Sequence, residues 1–91
     1  MSQPKLLDTV ALLKDLPSER LTLVEPELTA VDHLPSGLVG TIVHVYERDN
    51  NEYYLVEFAD AQGREYAMAI LLGNEVLALH HELATASQLT H

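Results

Sequence analysis

An all-β domain is the fold class that this chain predicts: a small five-stranded antiparallel barrel over about residues 6–79, with a long first loop and a short C-terminal tail. Two observations carry that expectation. Side chains alternate with period two through three consecutive runs between Gly37 and Leu72, and the runs are separated by short clusters of turn-forming residues. A short apolar run stands on either side of this stretch and supplies the remaining two strands.

The first of these runs, Leu6 to Leu13, is apolar enough for a buried strand or a short helix. Thr9, Val10 and the nearby Pro17 favour a strand that ends around Lys14. Residues 15–36 hold Pro17, Pro26 and Pro35 and read as a long excursion. Pro26 fits the first position of a brief helix through Val31, although Thr29 and Val31 are poor helix formers.

In the first strand of the central stretch Thr41, Val43 and Val45 share one face, and Ile42, His44 and Tyr46 the other. In the second, Tyr54, Val56 and Phe58 lie opposite Tyr53, Leu55 and Glu57. The third sets Tyr66, Met68 and Ile70 against Glu65, Ala67 and Ala69. An unpaired carboxylate is too costly to bury, so Glu57 and Glu65 mark the solvent side of their strands. The expected core is therefore Val43, Val45, Val56, Phe58 and Met68.

Turn chemistry fixes the connections. Asp49-Asn50-Asn51 forms a short hairpin loop, because Asx residues tolerate left-handed backbone, and Asp60-Ala61-Gln62-Gly63 forms the next, with Gly63 free to take positive φ. Loops this short make the three strands antiparallel neighbours. After the Gly73-Asn74 break, Glu75 to Leu79 reads as a closing strand. For the tail, residues 80–91, a frayed helical turn and a disordered end both fit.

At 91 residues the chain is expected to be one domain, which buries only ~60–65% of its unfolded surface, so oligomerisation would help its stability. It has no cysteine, which excludes thiolate chemistry and suits a reducing cytoplasm. No secretory leader and no apolar run approaching ~20 residues is visible, so a soluble cytoplasmic protein without membrane contact is expected. Fourteen acidic residues against five basic ones leave a net charge of −9. Lys5, Lys14, Arg20, Arg48 and Arg64 are scattered, and phosphate neutralisation needs a basic face, so binding to nucleic acid is not expected. The acidity serves solubility, or it selects a basic protein partner.

Chemistry-bearing residues form no motif. His80, His81 and Glu82, with His91 farther on, could donate metal ligands, but adjacent residues diverge and no second ligand pair has fixed spacing. His33 and His44 read as partly exposed histidines. Gly37 and Gly40 lack the Lys and Ser/Thr of a phosphate loop, and serve close backbone approach in a strand. Ser18 and Ser36 lack the glycine-flanked elbow of a nucleophile. No catalytic, cofactor or metal site is assigned, and the chain is not expected to be an enzyme.

Resemblance adds a family. LLDTVALLKDLP at Leu6 to Pro17, GLVGTIVHVY at Gly37 to Tyr46, YLVEF at Tyr54 to Phe58 and YAM at Tyr66 to Met68 resemble a family of small bacterial proteins classed as a domain of unknown function. The strand order also resembles an SH3-like barrel, as in Src-homology-3 and KOW-type modules. The family resemblance implies a small barrel and no assigned activity. The segment between Pro17 and Gly37 is longer than typical of that family, and the histidine-bearing tail is extra. Proline-rich peptide recognition and phosphate binding do not transfer, because the aromatic groove and the basic loop residues are not evident.

The sharper signal is the second face of the sheet. With Thr41, Val43, Val45, Tyr54, Val56 and Phe58 filling the barrel, Ile42, Tyr46, Tyr53 and Leu55 point outward from two adjacent strands. A contiguous apolar and aromatic patch is common at interfaces, where tyrosine is enriched. The bland account is that the long loop or the tail folds over it. The expected function is a non-catalytic protein-interaction module acting through Ile42, Tyr46, Tyr53 and Leu55, in a homodimer or with a protein partner. The alternative is a small ligand-binding protein or enzyme using the long loop and the tail.

Overall fold

The computed structural model describes residues 4–26 and 31–79. Its elements are β1 (Thr9–Leu12), β2 (Leu16–Pro17), a 3-10 turn (Ser18–Arg20), β3 (Leu21–Leu23), β4 (His33–Leu34), β5 (Val39–Arg48), β6 (Asn51–Ala59), β7 (Glu65–Leu72), a second 3-10 turn (Gly73–Glu75) and β8 (Val76–Ala78). The fold is all-β, and every strand pairing is antiparallel. Among the described residues no helix is long and apolar enough to cross a membrane.

Six strands form one sheet in the order β3-β7-β6-β5-β1-β8, and β2 pairs with β4 apart from it. Five strands were expected; the sixth, β3, lies inside the proline-bearing excursion. Leu21 to Leu23 pair with Ala69 to Ala67 on the open side of β7. The helix expected from Pro26 to Val31 falls mostly on residues 27–30, outside the described residues, as does the tail, residues 80–91. β2 and β4 pinch the excursion at its base, where Leu16 and Leu34 are completely buried.

The meander β5–β6–β7 is the centre of the sheet. Its first turn is tighter than expected: Arg48 pairs with Asn51, leaving only Asp49 and Asn50, at φ 53° and 65°, as a two-residue hairpin loop. In the second turn Gly63 takes φ 81°, and the Asp60 carboxylate accepts the backbone N–H groups of Gln62 and Arg64, both at 2.9 Å. This pairing of Asp60 with its own turn holds its pKa below the usual range. Gly40 marks a close approach: a Cβ there would lie 2.7 Å from Val56 Cγ1 and 2.8 Å from the Glu57 carbonyl.

Two bulges shift the alternation and correct the face assignment. Ile42 pairs with Val56 while His44 pairs with Leu55, so Val43 is an extra residue in β5. Ile42, expected on the outer face, is therefore sealed in the core, and Val45 turns inward beside it, half-buried. Thr41 and Val43, expected inside, are only half-buried. The second bulge lies at Tyr66, because Phe58 pairs with Ala67 and Ala59 with Glu65. Glu65 does face outward, but one step later Ala67, Ala69 and Leu71 face inward, and Met68 and Ile70 face out. The expectation of a buried Met68 is thus inverted by a single residue. Val56 and Phe58 are fully buried as expected.

The strand order begins at β3 and ends at β8, and no hydrogen-bonded ladder joins those two edges among the described residues. A charged pair connects them instead. Arg20, just before β3, reaches Glu75, just before β8, with bonds of 2.9 and 3.1 Å. The same two side chains complete the edge of β7 where β3 stops: Arg20 donates to the Ile70 carbonyl at 3.1 Å, and the Leu72 N–H donates to Glu75 Oε1 at 2.9 Å. With Lys14 Nζ also 3.6 Å away, the Glu75 carboxylate has a pKa held down to about 2, first by the Arg20 hydrogen bonds.

Candidate functional site

The outer face of the meander is built from cross-strand rows. Tyr46 pairs with Tyr53, which pairs with Leu72; in the next row His44 pairs with Leu55, which pairs with Ile70. Because opposed strand positions project to the same side of the sheet, these six side chains form two contiguous rows. The His44 and Tyr46 rings lie 4.4 Å apart, tilted by 58°. Tyr46 is 40% exposed, Ile70 51% and Leu72 39%, while Tyr53 and Leu55 are half-buried by their neighbours. Tyr46, Tyr53 and Ile70, with Glu47 and Arg48, line a shallow depression of about 540 Å³.

The structure thus brings together three of the four residues expected there, Tyr46, Tyr53 and Leu55, and removes Ile42. It adds His44, Ile70 and Leu72. Ile70 and Leu72 were missed because the bulge at Tyr66 hides the true phase of β7, whereas His44 was placed on the face of Tyr46 but read only as a partly exposed histidine. A signal was available, since Ala67 and Ala69 are small enough to sit under Phe58 and Val56, the residues they pair with.

Charged groups close both ends of the patch. One row beyond Tyr46 and Tyr53 stand Arg48 and Asn51; one row beyond His44 and Leu55 stand Thr41, Glu57 and Met68. Glu57 shares a hydrogen bond with Glu65, which, with partial burial and like-charge repulsion, raises the Glu57 carboxyl above its ordinary range. Among the described residues, neither Arg48 nor the Glu57–Glu65 pair has an ion-pair partner of opposite sign.

A cavity of about 760 Å³ lies elsewhere, between the excursion and the β6–β7 turn, and is lined in part by Asp32, His33, Asp60, Arg64, Glu65 and Tyr66. Its basic side chains are engaged locally: His33 Nδ1 lies 3.0 Å from Asp32 Oδ1, and Arg64 Nε lies 3.2 Å from Asp60 Oδ2. At the far end of the inner face, the Tyr54 hydroxyl donates to Glu52 at 2.8 Å, and burial together with that carboxylate pushes the phenol up to about 12. Ser36 is occupied structurally, its N–H bonding Asp15 at 2.7 Å. No group of three or more metal-ligating side chains occurs among the described residues, and His80, His81, Glu82 and His91 lie outside them.

Fold and site together define a strongly acidic all-β protein with one apolar sheet face. Residues 6–78 match the family model for a domain of unknown function (DUF4926), and the chain belongs to that family. No curated protein and no solved structure matches it significantly.

Proposed function

We propose that this protein is a non-catalytic interaction module that binds another protein, in the simplest case a second copy of itself, through the outer face of β5–β7. The observation that supports this reading is the pair of rows Tyr46-Tyr53-Leu72 and His44-Leu55-Ile70, large side chains that sit side by side and keep much of their surface accessible. Burying a side chain the size of leucine contributes ~1.5–3 kcal/mol, so a few such residues compete with the entropy of association. The acidic excess and the scattered basic residues argue against a nucleic-acid partner. A cysteine-free chain suits a reducing cytoplasm.

Sedimentation across a concentration series tests the reading. The wild-type chain should associate at high micromolar concentration or be captured by a protein partner. Leu55→Glu, a charge at the patch centre, should abolish either association while circular dichroism stays native. A wild-type chain that remains monomeric and finds no partner overturns it. The alternative, a small ligand or a reaction at the excursion, draws support from the 760 Å³ cavity. It is weaker because the cavity's basic side chains, His33 and Arg64, are already engaged by Asp32 and Asp60.

A further inference from the structure

We infer that the outer face receives a second copy of this chain in one orientation, with strand directions reversed, so that Arg48 of each copy lies against Glu57 of the other. This inference rests on the interface reading above and adds the occupant and the geometry.

The argument begins with spacing along the strands. Consecutive rows on one sheet face are ~6.8 Å apart. The patch occupies two rows, Tyr46-Tyr53-Leu72 and His44-Leu55-Ile70, and its midpoint falls between them. Arg48 stands one row beyond the patch at one end and Glu57 one row beyond at the other, so both lie ~10 Å from the midpoint. Two sheets packed face to face by a two-fold axis share that axis in the plane between them. When the axis crosses the strands at the patch midpoint, each apolar row covers the other, and the Arg48 row of one copy covers the Glu57 row of its partner. Arg48 is on β5 and Glu57 on β6, a lateral offset of ~4.8 Å that an arginine side chain spans.

Charge supplies the reason for a second copy. Glu57 and Glu65 lie on one sheet face in adjacent strands, one row apart, because Glu57 pairs with Met68 and Ala59 with Glu65, and the two carboxylates lack a cation among the described residues. At the opposite end of the same face, Arg48 is a cation without an ion partner among the described residues. The reversed pairing resolves both deficits twice in one interface. A parallel stacking would set Arg48 over Arg48 and the carboxylates over carboxylates.

The footprint also sets the strength. Three strands ~4.8 Å apart and four rows ~6.8 Å apart cover ~400 Å² per copy, about half of the ~800 Å² per partner in a standard stable interface. The dimer is accordingly weak and concentration-dependent. The −9 charge on each copy opposes it, and a Debye length of ~8 Å at ~0.15 M salt confines that repulsion to near contacts.

Charge reversal with sedimentation equilibrium at ~0.15 M salt tests the orientation. Arg48→Glu and Glu57→Arg should each weaken the homodimer ~10-fold or more, since symmetry counts every change twice. An equimolar mixture of the two variants should recover wild-type affinity, because the heterodimer restores opposite charges at both contacts. Glu57→Arg also lowers the net negative charge, so a purely global effect would tighten its dimer, and tightening overturns the proposal. A wild-type dimer that both variants leave unchanged, or a mixture that fails to recover, overturns the orientation while the interface reading survives. A wild-type chain that is monomeric throughout overturns the second copy as occupant. Capture of a different protein by the same face would then leave only the interface reading standing.

Discussion

On the inner face of the β5–β7 meander, Ile42, Val56, Phe58 and Leu71 have no accessible surface, whereas on the outer face Tyr46 and Ile70 keep 40% and 51% of theirs. The residue types on the two sides are alike. The difference is what stands opposite them. Inward side chains meet Val10, Leu12, Leu16, Leu34 and Val76 from the surrounding strands, and no described element covers the outward rows. Hydrophobicity therefore locates the sheet without saying which face is the core. Two bulged residues, Val43 and Tyr66, settle that question.

The strongest way to break the comparison is to delete a large side chain from each face and measure urea unfolding. Phe58→Ala should lower stability by ~3–5 kcal/mol, because the ring is fully enclosed and leaves a cavity. Ile70→Ala, an exposed apolar residue, should stay within ~1 kcal/mol. Equal losses at both positions would mean that the outer face is covered in solution.

An intermediate effect is expected at Glu75, the one charged side chain buried among the described residues. Its pKa falls from 4.5 to about 2 on folding, which corresponds to ~3 kcal/mol. A depressed carboxylate stabilises the folded state fully above pH 4.5, and that contribution disappears as the pH falls towards 2. Glu75→Gln should therefore be less stable than wild type by ~2–3 kcal/mol at pH 7, with the gap closing between pH 4.5 and 2 in denaturant titrations. A gap independent of pH would show that packing, not charge, holds this corner.

The smallest effect on stability sharpens the contrast most. Leu55→Glu should change unfolding free energy by less than ~1 kcal/mol, since its position is only half-buried on the outer face, yet it should remove association. Loss of folding in that variant would place Leu55 in the core.

Much of this fold was legible in the residues. Alternation and turn chemistry located all three meander strands and both turns, and Glu75 to Leu79 contains the closing strand. Phase was not legible. Alternation persists on either side of Val43 and of Tyr66, and a one-residue insertion leaves each half looking regular while exchanging its faces. Glu65 marked the solvent side correctly at its own position, and the bulge at the next residue made that marker misleading for Met68. Strand β3 was hidden for a different reason. Leu21 to Leu23 is too short to show a period, and its pairing with β7 comes from residues more than forty positions away. Half of the six-residue face was recovered because Tyr46, Tyr53 and Leu55 lie beyond the first bulge or on the unbulged β6.

The clasp between Arg20 and Glu75 has a consequence in time. Its two members are separated by most of the domain, and β8 takes its place beside β1 only when Ala11 meets Leu77. Such distant pairings bear the greatest loop-closure entropy, whereas the β5–β6 hairpin closes over two residues. The meander should therefore assemble first and the clasp last. In stopped-flow measurements Glu75→Gln should speed unfolding and leave the refolding rate nearly unchanged. The opposite pattern would make this charged corner part of the folding nucleus. With the expected pattern, Glu75 acts as a latch that governs how long the native state survives rather than how quickly it is reached.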